Sequence, residues 1–164
     1  MSMEVCSCFE TVGGVLDSYA NRGVFRGFSQ GPVRNGKVAF KMLWHRDRVF
    51  ELILDVGKHT MRFPLVLPGV SADSLMYREF RAFLKSRHSE DLPEHRRIDT
   101  GKARIRCCNR GRNISITLTV EDGDYEYGTR KLIHIVHEIF MVFLSDGRYY
   151  EYLVEKFDLD PDSV

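Results

Sequence analysis

The chain has 164 residues, with 24 Lys and Arg set against 23 Asp and Glu for a formal net charge of +1. No overall field therefore draws it to nucleic acid or to a membrane surface, and binding of that kind needs a local patch. Hydrophobic residues at 43% and charged residues at 29% exclude wholesale disorder and predict one domain over residues 1–164, with flexible ends at 1–4 and 158–164.

Four cysteines, Cys6, Cys8, Cys107 and Cys108, sit in pairs too close together for zinc-finger spacing. They are read as free thiols of a reducing compartment, with no metal and no other cofactor. The opening MSMEVCSCFETVGG has no basic segment leading into an apolar core. The longest nearly apolar run, residues 132–144, is broken by His134, His137 and Glu138 and is too short to span a bilayer. The expectation is a cytoplasmic protein with no membrane partner.

In chain order, Val5, Phe9, Val12, Leu16 and Tyr19 recur at three- and four-residue steps, one face of a helix that Gly23 would end. Gly13-Gly14 costs that helix about 1 kcal/mol per glycine and signals close approach of another backbone. The period then becomes two. Val38 to Trp44, Phe50 to Val56 and Met61 to Leu65 alternate between short polar connections, and residues 24–28 add a first strand. Asn35-Gly36 suits a type I′ hairpin turn, because both residues tolerate positive φ. Pro64 removes a ladder donor, which predicts either an edge position for its strand or a bulge.

A helix follows over residues 71–88, capped by Ser71 or Asp73, with Leu75, Met76, Phe80, Phe83 and Leu84 as its buried stripe. After a polar loop, residues 104–107 alternate, a turn is expected at 109–111, and residues 113–120 alternate without a break. Ile114, Ile116, Leu118 and Val120 face one way and Asn113, Ser115, Thr117 and Thr119 the other, the mark of a sheet wet on one face. Residues 121–128 read as an acidic turn. The most apolar helix runs over 129–144 and ends at Asp146-Gly147, and a short helix over 149–157 closes the order. The fold class is α+β: an antiparallel sheet, made of a meander of three or four strands plus a hairpin, with helices on one face.

The stretch GPVRNGKV, residues 31–38, lies one residue from the phosphate-binding consensus. That loop must run from a strand into a helix whose first amides face the phosphates. Here Lys37 leads into strand, and Val38 stands where magnesium needs a hydroxyl, so the match is a hairpin turn.

This order of elements resembles the type III secretion chaperone-like fold, and more specifically the bacterial YbjN-like domain. At residue level the likeness rests on RKLIHIVHEIFMVFLSDGRYYEYLVEKF, residues 130–157. The resemblance implies a small non-enzymatic domain, often dimeric, that binds proteins. It carries no catalytic residues to transfer. The departures are Gly13-Gly14, the basic loop 89–100 and the 107–108 cysteine pair, and the near-neutral charge departs from the acidity of secretion chaperones.

His134 and His137 are spaced by three, with Glu138 after the second, unlike the zinc-protease pattern. They are read as a polar strip beside the core. No Ser-His-acid set or carboxylate pair stands out, so no catalytic residue is expected. Arg78, Arg81 and Lys85 share a helical stripe with His88, and Arg104, Arg106, Arg110 and Arg112 follow on the hairpin. If helix and hairpin adjoin, these residues make a positive surface for an acidic peptide or a phosphate backbone. Nucleic acid is the second reading, because the Ser/Thr strand face lacks stacking rings. Ile139, Phe140, Phe143, Tyr149 and Tyr152 are the candidate dimer or client surface. The favoured reading is a non-catalytic, homodimeric protein-binding module, chaperone-like or regulatory.

Overall fold

Asn35 and Gly36 have φ of +53° and +75°, and Arg34 and Lys37 exchange backbone hydrogen bonds of 2.9 Å across them. This is the type I′ turn that right-twisted antiparallel strands require, seen here in a computed structural model that describes residues 3–45, 47–145 and 149–157. It lies in the connection between β1 (Arg26–Gln30) and β2 (Lys37–Trp44), after helix α1 (Met3–Asn21). Strands β3 (Arg48–Asp55) and β4 (Thr60–Leu67) complete the meander. Then come α2 (Leu75–Ser86), β5 (Ala103–Arg110), β6 (Asn113–Val120) and α3 (Tyr125–Glu138). A π-helical segment (Ile139–Phe143) and α4 (Tyr150–Phe157) end the described chain. Residues 3 and 4, expected in a flexible end, belong to α1. The other expected flexible residues, 1–2 and 158–164, and the expected helix stop at Asp146-Gly147 lie outside the described residues.

The six strands form one antiparallel sheet in the order β1-β2-β3-β4-β6-β5, leaving β1 and β5 as edges. Alternation sets the two faces. Val38, Phe40, Met42, Phe50, Leu52, Leu54, Met61, Phe63, Ile114, Ile116 and Leu118 are buried on the helix side. Lys41, Arg62, Arg104 and Arg106 are exposed and Thr117 and Thr119 half-buried on the other side. Phe25, Trp44, Phe50 and Phe63 meet edge to face with ring centres 5.5–6.1 Å apart, the geometry that aromatic quadrupoles favour.

Several expected details change. Pro64 is not on an edge, since β4 runs between β3 and β6. It sits where the β4–β6 register shifts between Phe63 and Leu67, the bulge alternative. The β5–β6 turn is Gly111-Arg112, with φ of +57° and +68°, because Arg110 still pairs with Asn113. Helix α2 starts later than expected. Ser74 rather than Ser71 or Asp73 is its cap, its hydroxyl accepting the Tyr77 N–H at 3.1 Å, and this puts Leu75 outside the buried stripe at 59% exposed. Helix α3 starts four residues before Thr129, because the Asp124 carboxylate accepts the Tyr127 N–H at 3.0 Å. What brings Gly13 close to a neighbour is the Gln30 and Phe40 side chains, not another backbone.

The expected continuous helix through Leu144 is also modified. Leu144 N–H reaches Ile139 O at 2.9 Å, so one wide turn replaces a regular one. That turn carries Met141 and Val142 outward, at 59% and 48% exposed. Ile139, Phe140, Phe143 and Tyr149, four of the five residues of the expected dimer or client surface, are buried at 0%, 8%, 8% and 7%. Phe143 packs on Phe80, Phe83 and Tyr149, and Phe140 on His45 and Phe50. Half-buried Tyr152 donates its hydroxyl to Pro68 O at 2.7 Å. These side chains are spent on the core, so a partner would have to meet a different surface.

Candidate functional site: a basic groove between helix α2 and edge strand β5

Helix α2 lies against β5. The Tyr77 hydroxyl is 3.8 Å from Cys107 Sγ, and eleven residues on, the His88 ring meets Ile105. His88 Nδ1 stands 3.2 Å from Ile98 O, and its Nε2 accepts the Ile105 N–H at 3.3 Å. Nδ1 is therefore the protonated nitrogen, and the imidazole pins the end of α2 to the outer backbone edge of β5.

Between the two elements runs a groove of about 480 Å³. Arg78, Arg81, Lys85 and Arg106 border it, and Leu84, Ile105 and Cys107 give it an apolar floor; no carboxylate lines it. Arg78, Arg81 and Lys85 share one stripe because three- and four-residue steps return to the same side of a helix. Arg106 belongs to the open sheet face, opposite Thr117, but its strand is an edge and its long side chain also borders the groove. The Arg81 guanidinium lies 5.8 Å from the centre of the Tyr77 ring, a cation–π distance. Burial pushes the Tyr77 phenol up to about 12 and the Cys107 thiol up as well. At neutral pH both groups are uncharged, so the positive charge of the groove faces no anion within it. Guanidinium forks over an apolar floor bind carboxylates and phosphates, and the raised Cys107 thiol is a poor nucleophile.

The rest of the predicted basic surface is divided. Arg104 reaches Glu121 at 3.6 Å, and Lys102 reaches Asp122 at 2.8 Å and Asp124 at 3.0 Å. Arg110 and Arg112 stand at the hairpin tip and do not line the groove. Arg87 and Arg96 turn inward to Glu138, which is 3% exposed; Arg87 donates to its Oε2, as does Arg96 at 3.3 Å. Of the seven residues expected to bind a partner, the groove gathers Arg78, Arg81, Lys85 and Arg106. None of these four has an ion-pair partner among the described residues.

Glu138 also explains the histidines. His134 Nε2 is 2.7 Å from Glu138 Oε1, an ion-pair distance, although the two atoms are not aligned for a hydrogen bond. Burial lowers His134 below its ordinary value against the opposing pull of Glu138. The carboxylate is thus taken up by two arginines and an imidazole, and among the described residues no cluster of three or more ligating side chains could hold a metal ion. No described helix is long and apolar enough to cross a membrane.

Sequence reasoning missed Tyr77 as the support of Arg81 and His88 as a pin. Tyr77 adjoins the basic stripe and no periodicity marks its role. The His88 contact joins residues 17 apart across a loop. No protein-family model, curated protein or solved structure matches the chain.

Proposed function

We propose that the chain is a non-catalytic protein-binding module, chaperone-like or regulatory, whose binding site is the α2–β5 groove and whose partner offers an extended acidic segment. The observation that carries this reading is the meeting of Arg78, Arg81, Lys85 and Arg106 around one apolar-floored groove lined by no acid. Beyond the groove, Arg87, Arg96, Lys102, Arg104 and Arg130 are paired with carboxylates, at Glu138, Asp122, Asp124, Glu121 and Glu126. Four cations gathered in one groove with no ion-pair partner among the described residues are available to a ligand outside the fold. The resemblance to the YbjN-like domain implies the same non-enzymatic, protein-binding character. A peptide fits better than nucleic acid because the outward positions of β2, β3, β5 and β6 offer no aromatic ring for base stacking.

The test is fluorescence anisotropy of a labelled oligoglutamate. Saturable binding that weakens with salt is expected, with Arg81→Ala and Arg106→Ala each costing about three- to tenfold in affinity. Arg104→Ala, whose side chain is engaged with Glu121, should change little. Equal losses at all three positions would indicate diffuse charge rather than a site. Tighter retention of an oligonucleotide than of the peptide would favour the nucleic-acid reading.

A further inference from the structure

We propose that the cavity between the end of α1, the β2–β3 turn and α3 is a binding site for an uncharged bicyclic heteroaromatic molecule, anchored by a hydrogen bond to His45 Nε2. This site shares no lining residue with the α2–β5 groove and does not depend on the acidic-segment reading of it.

The cavity measures about 480 Å³, a size that suits a small organic ligand. Tyr19, Trp44, His45, His134 and His137 line it with rings, and Met141 stands at its rim. No aspartate, glutamate, lysine or arginine lines it. Packing holds the walls in place. Trp44 meets Phe25 and Phe50 edge to face with ring centres 5.5 and 5.7 Å apart. The His45 ring stacks on Trp44 at 4.5 Å and on Phe140 at 4.0 Å. Rings fixed in this way need little reordering to receive a flat ligand, which favours affinity. The wide turn after α3 shapes the rim by carrying Met141 outward at 59% exposed, and turns of this π type recur at functional sites.

His45 Nε2 is buried and has no hydrogen-bond partner among the described residues. Buried polar atoms are almost always paired, so one left open on a cavity-lining ring marks where a ligand atom completes the bond. Burial first, and the neighbouring His137 second, lower His45 to about 3, and burial lowers His134 as well. Both imidazoles are therefore uncharged at neutral pH, and each carries one donor and one acceptor nitrogen. Nearby charges are engaged elsewhere, Glu138 with Arg87 and Arg96 and Arg130 with Glu126 at 3.1 Å. With no carboxylate, ammonium or guanidinium on its walls, the cavity would strip water from an ionic ligand without replacing it, so the class that fits is uncharged. Ring faces on several sides select a flat aromatic through offset and edge-to-face contacts. A nitrogen in that flat ring system answers His45.

Trp44 is the one tryptophan of the chain, so its indole N–H signal reports on the cavity directly. The experiment titrates the full chain at neutral pH with indazole, quinoline and indene, bicyclic rings of similar size of which indene has no nitrogen. Calorimetry gives the affinities, and NMR follows Trp44, His45 and Met141. The proposal expects saturable one-to-one binding of indazole or quinoline at millimolar concentration or below, with the His45 Nε2 signal moving and indene binding about tenfold more weakly. Met141→Lys, which puts a charge at the rim, should weaken binding by about tenfold. Val142→Lys, at a position 48% exposed that does not line the cavity, should leave it unchanged. No saturable binding of either nitrogen heterocycle, equal affinity for indene, or equal losses in the two lysine variants would each overturn the proposal. So would a Trp44 signal that moves with protein concentration in the absence of any ligand, since a second copy would then be what covers the cavity.

Discussion

Glu138 is the carboxylate whose removal should cost this fold most. It is buried, and Arg87 and Arg96 converge on it from the loop that leaves α2 while His134 approaches from its own helix. Removing one partner of a buried ion pair leaves a charge without compensation, a loss of about 3–5 kcal/mol. Glu138→Ala should show a loss of that size in urea denaturation, while Glu138→Leu combined with Arg87→Met should recover most of it. The i, i+4 relation of His134 and Glu138 was legible as a polar strip. The arginines were not, because they come from 51 and 42 residues away. His45 belongs at the same scale. Burial first, and His137 second, lower it to about 3. The unfolded chain takes up that proton near pH 6.5 and the native chain only near pH 3. The stabilisation is therefore complete above the first value and is lost as pH falls through the window, by at most about 1.4 kcal/mol per pH unit. Burial also lowers His134, which works in the same direction. His45→Asn, which tolerates the positive φ of 43° at this position, should flatten the slope of stability against pH across that window.

At the scale of elements, alternation and helical periodicity located β2 to β6 and the four α-helices, the first strand lies at Arg26–Gln30 rather than 24–28, and boundaries were where the expectations slipped. Ser74 and Asp124 cap α2 and α3, yet the neighbouring Ser71 and Asp73 were equally plausible caps and residues 121–128 read as one acidic turn. Only the three-dimensional path of the loop decides which oxygen meets an orphan N–H. The π turn had no sequence signal, and it decides which side of the last long helix faces out. Val142→Lys should shift stability by no more than about 0.5 kcal/mol, whereas Phe140→Ala should cost about 3–5 kcal/mol, both read by thermal unfolding. The Gly13-Gly14 pair gives a sharper contrast. A Cβ at Gly14 meets nothing within 4 Å, while one at Gly13 comes to 3.1 Å from Gln30 Oε1 and 3.5 Å from Phe40. Gly14→Ala should raise stability by about 0.5–1 kcal/mol, and Gly13→Ala by less, because Gln30 must give way.

At the scale of the whole molecule, near-neutral net charge conceals an uneven distribution. The basic stretch was visible in the sequence, where residues 85–112 hold nine Lys or Arg against four acids. Which of them share a surface was not visible. The fold consumes Arg87, Arg96, Lys102 and Arg104 in ion pairs, and the adjacency of α2 to β5 leaves Arg78, Arg81, Lys85 and Arg106 around one groove. The apolar helix showed the reverse difficulty. Its hydrophobicity all round signalled burial, but the sequence did not say whether this chain or a partner covers it; α1, α2, Tyr149 and the sheet do. The most direct test of the groove as the binding site is residue-resolved NMR of the full chain titrated with unlabelled oligoglutamate. The account predicts that shifts concentrate on Arg78, Arg81, Lys85, Ile105, Arg106 and Cys107 and disappear in the Arg81→Ala, Arg106→Ala double variant. Shifts confined to the open sheet face at Arg62, Thr117 and Thr119, or spread evenly over the surface lysines and arginines, would contradict it.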